Sequence, residues 1–172
     1  MSKFDRTICD CCVCSMQCIL QQLEGDFVQI ATTSRVGAAA PPIEGTLNSA
    51  NNFIAKTSAG SVPICNITAV GIPFPESNDT PFDVNVKPIR NDKTGECSCC
   101  EDPVTNELNR LVGKGVDIEY IGDGTPFVDS VIIEKVGEGI VTVIDPGANV
   151  DGRIPKFAIS TCYITKIEEL PQ

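Results

Sequence analysis

Five of the ten cysteines in this 172-residue chain, Cys9, Cys11, Cys12, Cys14 and Cys18, fall within ten residues. A second cluster, Cys97, Cys99 and Cys100, opens the other half of the chain, while Cys65 and Cys162 stand alone, each within Cys-x-Ile-Thr. Thiols at this density either bind a soft metal as thiolates or oxidise in pairs. Cys9-x-x-Cys12 and Cys97-x-x-Cys100 each have a chelating spacing. Their four thiolates, Cys9, Cys12, Cys97 and Cys100, would close a structural zinc site, with Cys11-x-x-Cys14 as an overlapping pair. With no histidine in the chain, a metal site would rest mainly on thiolate, which suits zinc or an iron–sulfur cluster rather than a catalytic centre.

Disulfides account for more of the set: all ten cysteines are cross-link candidates, and their number is even. The expected pairing joins Cys65 to one of Cys9, Cys11, Cys12, Cys14 or Cys18, and Cys162 to one of Cys97, Cys99 or Cys100. Closing a loop of about 50 to 65 residues in each half would contribute on the order of 4 kcal/mol in the chain-entropy model. Either all ten pair within the chain, or the cysteines left over bond a second chain through the arm Met1 to Cys18, Cys14 and Cys18 first, because the second cluster has no counterpart for them. On this reading no cofactor is expected; on the other, zinc is.

Nothing competes with the cysteines as chemistry. Without histidine the usual nucleophile–base arrangements are lacking. Gly113-Lys114-Gly115, Gly122-Asp123-Gly124 and Asp145-Pro146-Gly147 have no phosphate-cradle or calcium frame and read as turns. A Cys-x-x-Cys redox site needs a surrounding βαβ pattern, which is missing. An enzyme is not expected. A formal charge of −10 and a pI near 4.4 oppose binding to nucleic-acid phosphates and to anionic membranes. The chain lacks an apolar run of membrane-spanning length and an N-terminal secretory pattern. It is therefore expected to be made where thiols stay reduced, despite a cysteine content typical of oxidised proteins.

The elements that position these residues come twice. Residues 16–23 place Ile19, Leu20 and Leu23 on one helical face, stopped by Gly25. Alternating or short apolar runs at 26–32, 44–49, 52–56 and 61–70 predict strands. In the second half, Pro103 starts a helix ending at Gly113, and strands are expected at 115–120, 127–133, 139–144 and 158–167. The matches Cys9/Cys97, Cys11/Cys99, Cys12/Cys100, Leu20/Leu108, Leu23/Leu111, Gly25/Gly113, Val28/Val116 and Ile30/Ile118 share one offset. Cys65/Cys162 follows after loop insertions. This internal repeat predicts two similar domains, 1–72 and 97–172, joined by a Pro/Asp-rich linker, 73–96. Within that linker, 82–86 alternates and would serve either as an extra edge strand or as a tether lying on the surface.

A helix followed by five short strands with glycine-marked bends can close into a small barrel. The order helix–Leu-x-Gly, Val-x-Ile, then a final Ile-x-x-(Val/Ile), resembles the Sm-like barrel. The fold expected is mainly β: two tandem Sm-like β-barrels, each preceded by a short helix. The run Cys9 to Cys18 with its Met16-Gln17-Cys18-Ile19-Leu20, followed by Pro63-Ile64-Cys65-Asn66-Ile67, also resembles small Cys-rich proteins of endospore-forming Bacilli. The first half carries that pattern nearly whole; the second has Glu101-Asp102-Pro103 in place of the cysteines at Cys14 and Cys18. This resemblance implies a self-assembling structural protein of the spore coat, exosporium or an appendage. Its partners would be itself, as a ring or filament, and other spore surface proteins, after synthesis in the mother-cell cytoplasm. The alternatives are a zinc-binding adaptor using the four thiolates above or an Sm-like RNA-binding module, the latter opposed by the acidity and few aromatics.

Overall fold

The computed structural model describes residues 8–33, 42–73, 82–89, 101–122, 127–148 and 155–171; side chains of 8–10 and 127–129 are outside the description. The chain is mainly β. Helix α1 (Ile8–Gln22) leads into strands β1 (Phe27–Thr32), β2 (Ile43–Asn51), β3 (Ile54–Thr57), β4 (Gly60–Pro63) and β5 (Ile67–Gly71). Helix α2 (Asp102–Arg110) then leads into β6 (Gly115–Tyr120), β7 (Phe127–Gly137), β8 (Ile140–Ile144), β9 (Lys156–Ser160) and β10 (Ile164–Glu169). Both helices are left through a glycine at positive φ, Gly25 at 97° and Gly113 at 80°, where a side chain would be strained.

The strands form one ten-stranded sheet in the order β10-β6-β7-β8-β9-β5-β1-β2-β3-β4. Each half contributes the same internal order, its last strand beside its first: β5-β1-β2-β3-β4 and β10-β6-β7-β8-β9. The repeat read in the sequence is thus a repeat of strand order. Hydrogen bonds repeat too: Leu23 N–H to Leu20 O and Leu111 N–H to Leu108 O, and Thr33 N–H to Asn66 O and Ile121 N–H to Tyr163 O, are all 2.9 Å long. The expectation of two closed barrels meets a difference here. The halves join through β5 and β9, antiparallel with Ala69↔Ile159, Val70↔Ala158 and Gly71↔Phe157, and the sheet ends on two edge strands, β10 and β4, rather than closing.

Two cores lie under this sheet, and each borrows from the other half. Val13, Met16, Leu20 and Leu23 of α1 pack on Val28, Ile30 and Leu47, together with Ile140 and Ala158 from β8 and β9. Leu108 and Leu111 pack on Val116, Ile118 and Val131, together with Ala31 and Ala69 from β1 and β5. Burial of apolar surface across the β5–β9 seam contributes roughly 25 cal/mol per Å², so the halves are energetically coupled.

The linker behaves as neither expected alternative. Residues 82–89 form no strand, yet Phe82 and Val84 are buried in the first core at 6% and 2% exposure. Asn85 exchanges hydrogen bonds with the Gln22 side chain at 2.7 and 3.0 Å, and Glu138 N–H donates to Lys87 O at 3.1 Å. The alternation seen in the sequence is a burial pattern without a strand partner. Among the described residues, no helix is long and apolar enough to cross a membrane.

Candidate functional site at the seam between the repeats

The first cysteine cluster is itself helical. The sequence places the helix start at Met16, but α1 begins at Ile8, so Cys11, Cys12, Cys14 and Cys18 are arranged at helical spacing. Cys11 and Cys12, each 3% exposed, are turned inward with Val13 and Met16, while Cys14 and Cys18 are half-buried. Ser15, buried among them, donates its hydroxyl to Cys11 O at 3.0 Å, the usual way a helical serine satisfies itself in an apolar setting.

The inward face of α1 packs on its own repeat and also against the other. It packs on β8, β9 and the 3-10 turn Thr161–Tyr163 that follows β9. The approach is close: a Cβ added to Gly139, in the β7–β8 turn at φ 73°, would stand 3.0 Å from Cys12 Cα, so only glycine fits there. At this contact Cys12 forms a disulfide with Cys162, with Cα atoms 6.2 Å apart and a sequence separation of 150. That Cα separation is ordinary for a disulfide. Cys11 is disulfide-bonded too, and the Sγ atoms of Cys11, Cys12 and Cys162 lie within 4.8 Å of one another.

This corrects the expected pairing within each half. Cys162 is bonded to the first cluster instead of the second, and Cys65, expected to bond the first cluster, is a free thiol. The cause is the seam: each half's Cys-x-Ile-Thr turn lies between its fourth and fifth strands, and the fourth strand of the second repeat pairs with the fifth of the first. Cys14 and Cys18 are also free thiols. Cys9, Cys97, Cys99 and Cys100 lie outside the described side chains. Of the four cysteines in the zinc reading, Cys12 is bonded to Cys162, and the other three lie outside the described side chains.

One residue of the seam was not singled out from the sequence. Glu101, counterpart of the apolar Val13, is 1% exposed. Its Oε1 accepts from Gly139 N–H at 2.7 Å, from the Thr161 hydroxyl at 3.2 Å and from the Thr105 hydroxyl. Thr161 Oγ1 in turn lies 3.9 Å from Cys12 Sγ. In the first repeat the matching turn N–H, Phe53, donates to Gln17 Oε1 at 2.9 Å. A helix side chain thus caps the hairpin turn in both halves, but in the second it is a carboxyl tying α2, the turn and the disulfide-bearing segment together. The available signal was a glutamate at the position that is apolar in the other copy.

Burial raises the Glu101 pKa, helped by its hydrogen bond with Asp102 and opposed by those from Thr105, Gly139 and Thr161. A carboxyl whose folded pKa is raised favours the fold fully below its unfolded pKa, and that contribution is lost as pH rises through the folded value. Glu101→Gln keeps the acceptor oxygen and removes the charge. Relative to wild type, its stability is expected to increase as pH rises from about 4 to about 7. Urea midpoints across that range measure this, and parallel curves for the two proteins would refute it.

Comparison with protein-family models, with curated proteins and with solved structures finds no match to this chain.

Proposed function

We propose that this chain is a self-assembling structural protein, stabilised by disulfides, that builds a homopolymer by repeating its own internal seam. One observation carries the reading. The seam joins the fifth strand of the first repeat, β5, to the fourth strand of the second, β9; the strands left at the sheet edges are the fifth of the second repeat, β10, and the fourth of the first, β4. The unpaired edges are therefore the counterparts of the paired ones, and β10 of one copy is matched to β4 of the next. Such a heterologous contact generates a ring if its rotation closes and a filament if it does not.

Burial supports the same reading. In β5, residues Ile67, Thr68, Ala69 and Val70 are all buried, whereas in β10 their counterparts Ile164 and Ile167 are half-buried and Thr165 and Lys166 exposed. An open edge with apolar side chains at its rim is a template for strand addition. Each repeat is proposed to be an Sm-like small barrel: register shifts fall at matching places in the long second strands, between Leu47 and Ser49 and between Ile133 and Lys135, where a bulge bends a strand.

The role is structural rather than catalytic. The resemblance to Cys-rich proteins of the endospore-forming Bacilli supports a place in a spore surface layer, reached from the reducing mother-cell cytoplasm and oxidised there, with other surface proteins as neighbours. Purified chain in excess reductant is expected to form rings or filaments by electron microscopy and light scattering; a strictly monomeric protein at all concentrations would sink the reading. A second reading, a thiolate metal site in the fully reduced chain, is favoured by the closeness of the Cys11, Cys12 and Cys162 sulfurs. Stoichiometric zinc uptake by the reduced protein, lost in Cys162→Ser, would carry it.

A further inference from the structure

We infer that this chain carries the means to close its own seam disulfide: Cys162 takes up a low-molecular-weight thiol as a mixed disulfide, and the Cys12 thiol displaces it while passing its proton through Thr161 to Glu101. The inference goes beyond the assembly reading and does not depend on it.

The three groups stand in line. Thr161 Oγ1 lies 3.9 Å from Cys12 Sγ, and the Thr161 hydroxyl donates to Glu101 Oε1 at 3.2 Å. Cys12, Thr161 and Glu101 are all buried, whereas Cys162 is half-buried. A disulfide from solution therefore reaches Cys162 first, and Cys12 is the sulfur held inside to displace it. With the hydroxyl hydrogen turned to Glu101, the lone pairs of Thr161 Oγ1 are left to accept from the Cys12 thiol. A thiol attacks as its thiolate, and apolar surroundings oppose that form, so a buried attacking cysteine needs a base beside it.

The two repeats differ at both relay positions together. Glu101 and Thr161 stand where the first repeat has Val13 and Ile64, and Cys65, next to Ile64, is a free thiol. Capping the turn does not require a carboxyl, since in the first repeat the neutral Gln17 does so. Burial raises the Glu101 pKa, which makes its carboxylate a better proton acceptor. The groups that act on Glu101 are Thr105 and Asp102 of α2, Gly139 of the β7–β8 turn and Thr161 of the turn after β9, with Cys12 of α1 beyond Thr161. Among the described residues, no basic side chain is one of them.

The steps balance with a low-molecular-weight disulfide as the oxidant. The Cys162 thiolate attacks glutathione disulfide, giving the Cys162–glutathione mixed disulfide and one glutathione thiolate. The Cys12 thiol proton then passes to Thr161 Oγ1 as the Thr161 hydroxyl proton passes to the Glu101 carboxylate. The Cys12 sulfur electron pair forms the bond to Cys162, and the second glutathione leaves as its thiolate. Both glutathione thiolates take protons from water, and Glu101 ends as the carboxylic acid. Cys12 and Cys162 together lose two electrons, and glutathione disulfide gains them.

The test uses the full chain, reduced, freed of reductant and given glutathione disulfide. Samples are quenched with acid at intervals and read at Cys12 and Cys162 by peptide mass spectrometry. Wild type should pass through glutathione on Cys162 to the Cys12–Cys162 bond. Its closure rate should rise with pH and level off once Glu101 is ionised, below the ordinary thiol value of about 8.5. In Glu101→Gln and in Thr161→Val, closure at neutral pH should slow roughly tenfold or more and climb only through the thiol range, with glutathione accumulating on Cys162. The double variant should be no slower than either single one, and Thr161→Ser should restore the wild-type profile. Glutathione found on Cys12 instead of Cys162, or closure in Glu101→Gln as fast as in wild type, would overturn the inference. So would a wild-type rate that climbs only through the thiol range, a result that needs no variant to fold.

Discussion

Replacing Cys12 or Cys162 with serine should lower the thermal midpoint more than any other single substitution in the chain. The bond closes a span of 150 residues, for which the chain-entropy model gives about 5 kcal/mol of lost unfolded-state freedom. For a domain of this size each kcal/mol moves the midpoint by roughly 2–4 °C, so a drop of roughly 10–20 °C is expected. The two single variants and the double variant should agree within about 0.5 kcal/mol, since all three break one bond. The bond also pins α1 to the turn after β9, close to where both cores take residues from the opposite half. Loss of packing across the seam should therefore accompany it, visible as faster amide exchange in β5 and β9. Calorimetry at fixed pH and low concentration measures the shift; a change below about 2 °C would mean the seam is held by strand pairing alone.

The second large effect concerns assembly rather than folding. Ile64 N–H donates to Phe53 O, and antiparallel pairs alternate, so Val62 faces Ala55 across β3–β4 and the Ser61 N–H points out of the open edge. In the proposed contact, where Ile167 and Ser61 are the repeat counterparts of Val70 and Ala158 at the seam, that N–H meets Ile167 of the neighbour. Ser61→Pro removes the donor and sets a ring against the incoming strand. A lost hydrogen bond with an unmet buried carbonyl costs about 2–3 kcal/mol, or roughly 30- to 150-fold in affinity between copies. Ser61 is exposed and Pro63 already occupies the same edge, so the monomer's thermal midpoint should hardly move. Light scattering across a concentration series reads the outcome. Unchanged particle size would exclude β4 as the joining edge.

Much of the local structure is legible in the sequence. The strand 115–120 has the bounds read from its alternation, and 61–70 and 158–167 are each two strands separated by a turn, in keeping with the Cys-x-Ile-Thr matches. These succeed because burial on one face of a strand writes a period of two into the sequence whatever the strand pairs with. The helix start is misplaced because cysteines have no strong helical preference; the first eight residues of α1 owe their helix to the other repeat, whose β8 and β9 give Cys11, Cys12 and Val13 a surface to bury against. The 82–86 alternation is visible but misassigned for a related reason. Periodicity reports which side chains are buried, and Phe82 and Val84 are buried by lying on a core without pairing to a strand. Glu101 is visible only as a break in the repeat, since nothing local shows that a turn N–H before β8 and a threonine hydroxyl after β9 will converge on it.

By itself, then, the sequence determined the duplication, the strand set and the two cysteine-bearing turns, because each is encoded by short-range spacing. The tertiary structure decided how the repeats face each other, and with that which cysteines meet. An offset shared by two clusters is equally compatible with bonds inside each half and bonds across them; the choice is made by which strand edges pair. Once β5 pairs with β9, Cys162 is brought to Cys12, and Cys65, identical in motif and in backbone geometry, is left with a free thiol beside an open edge.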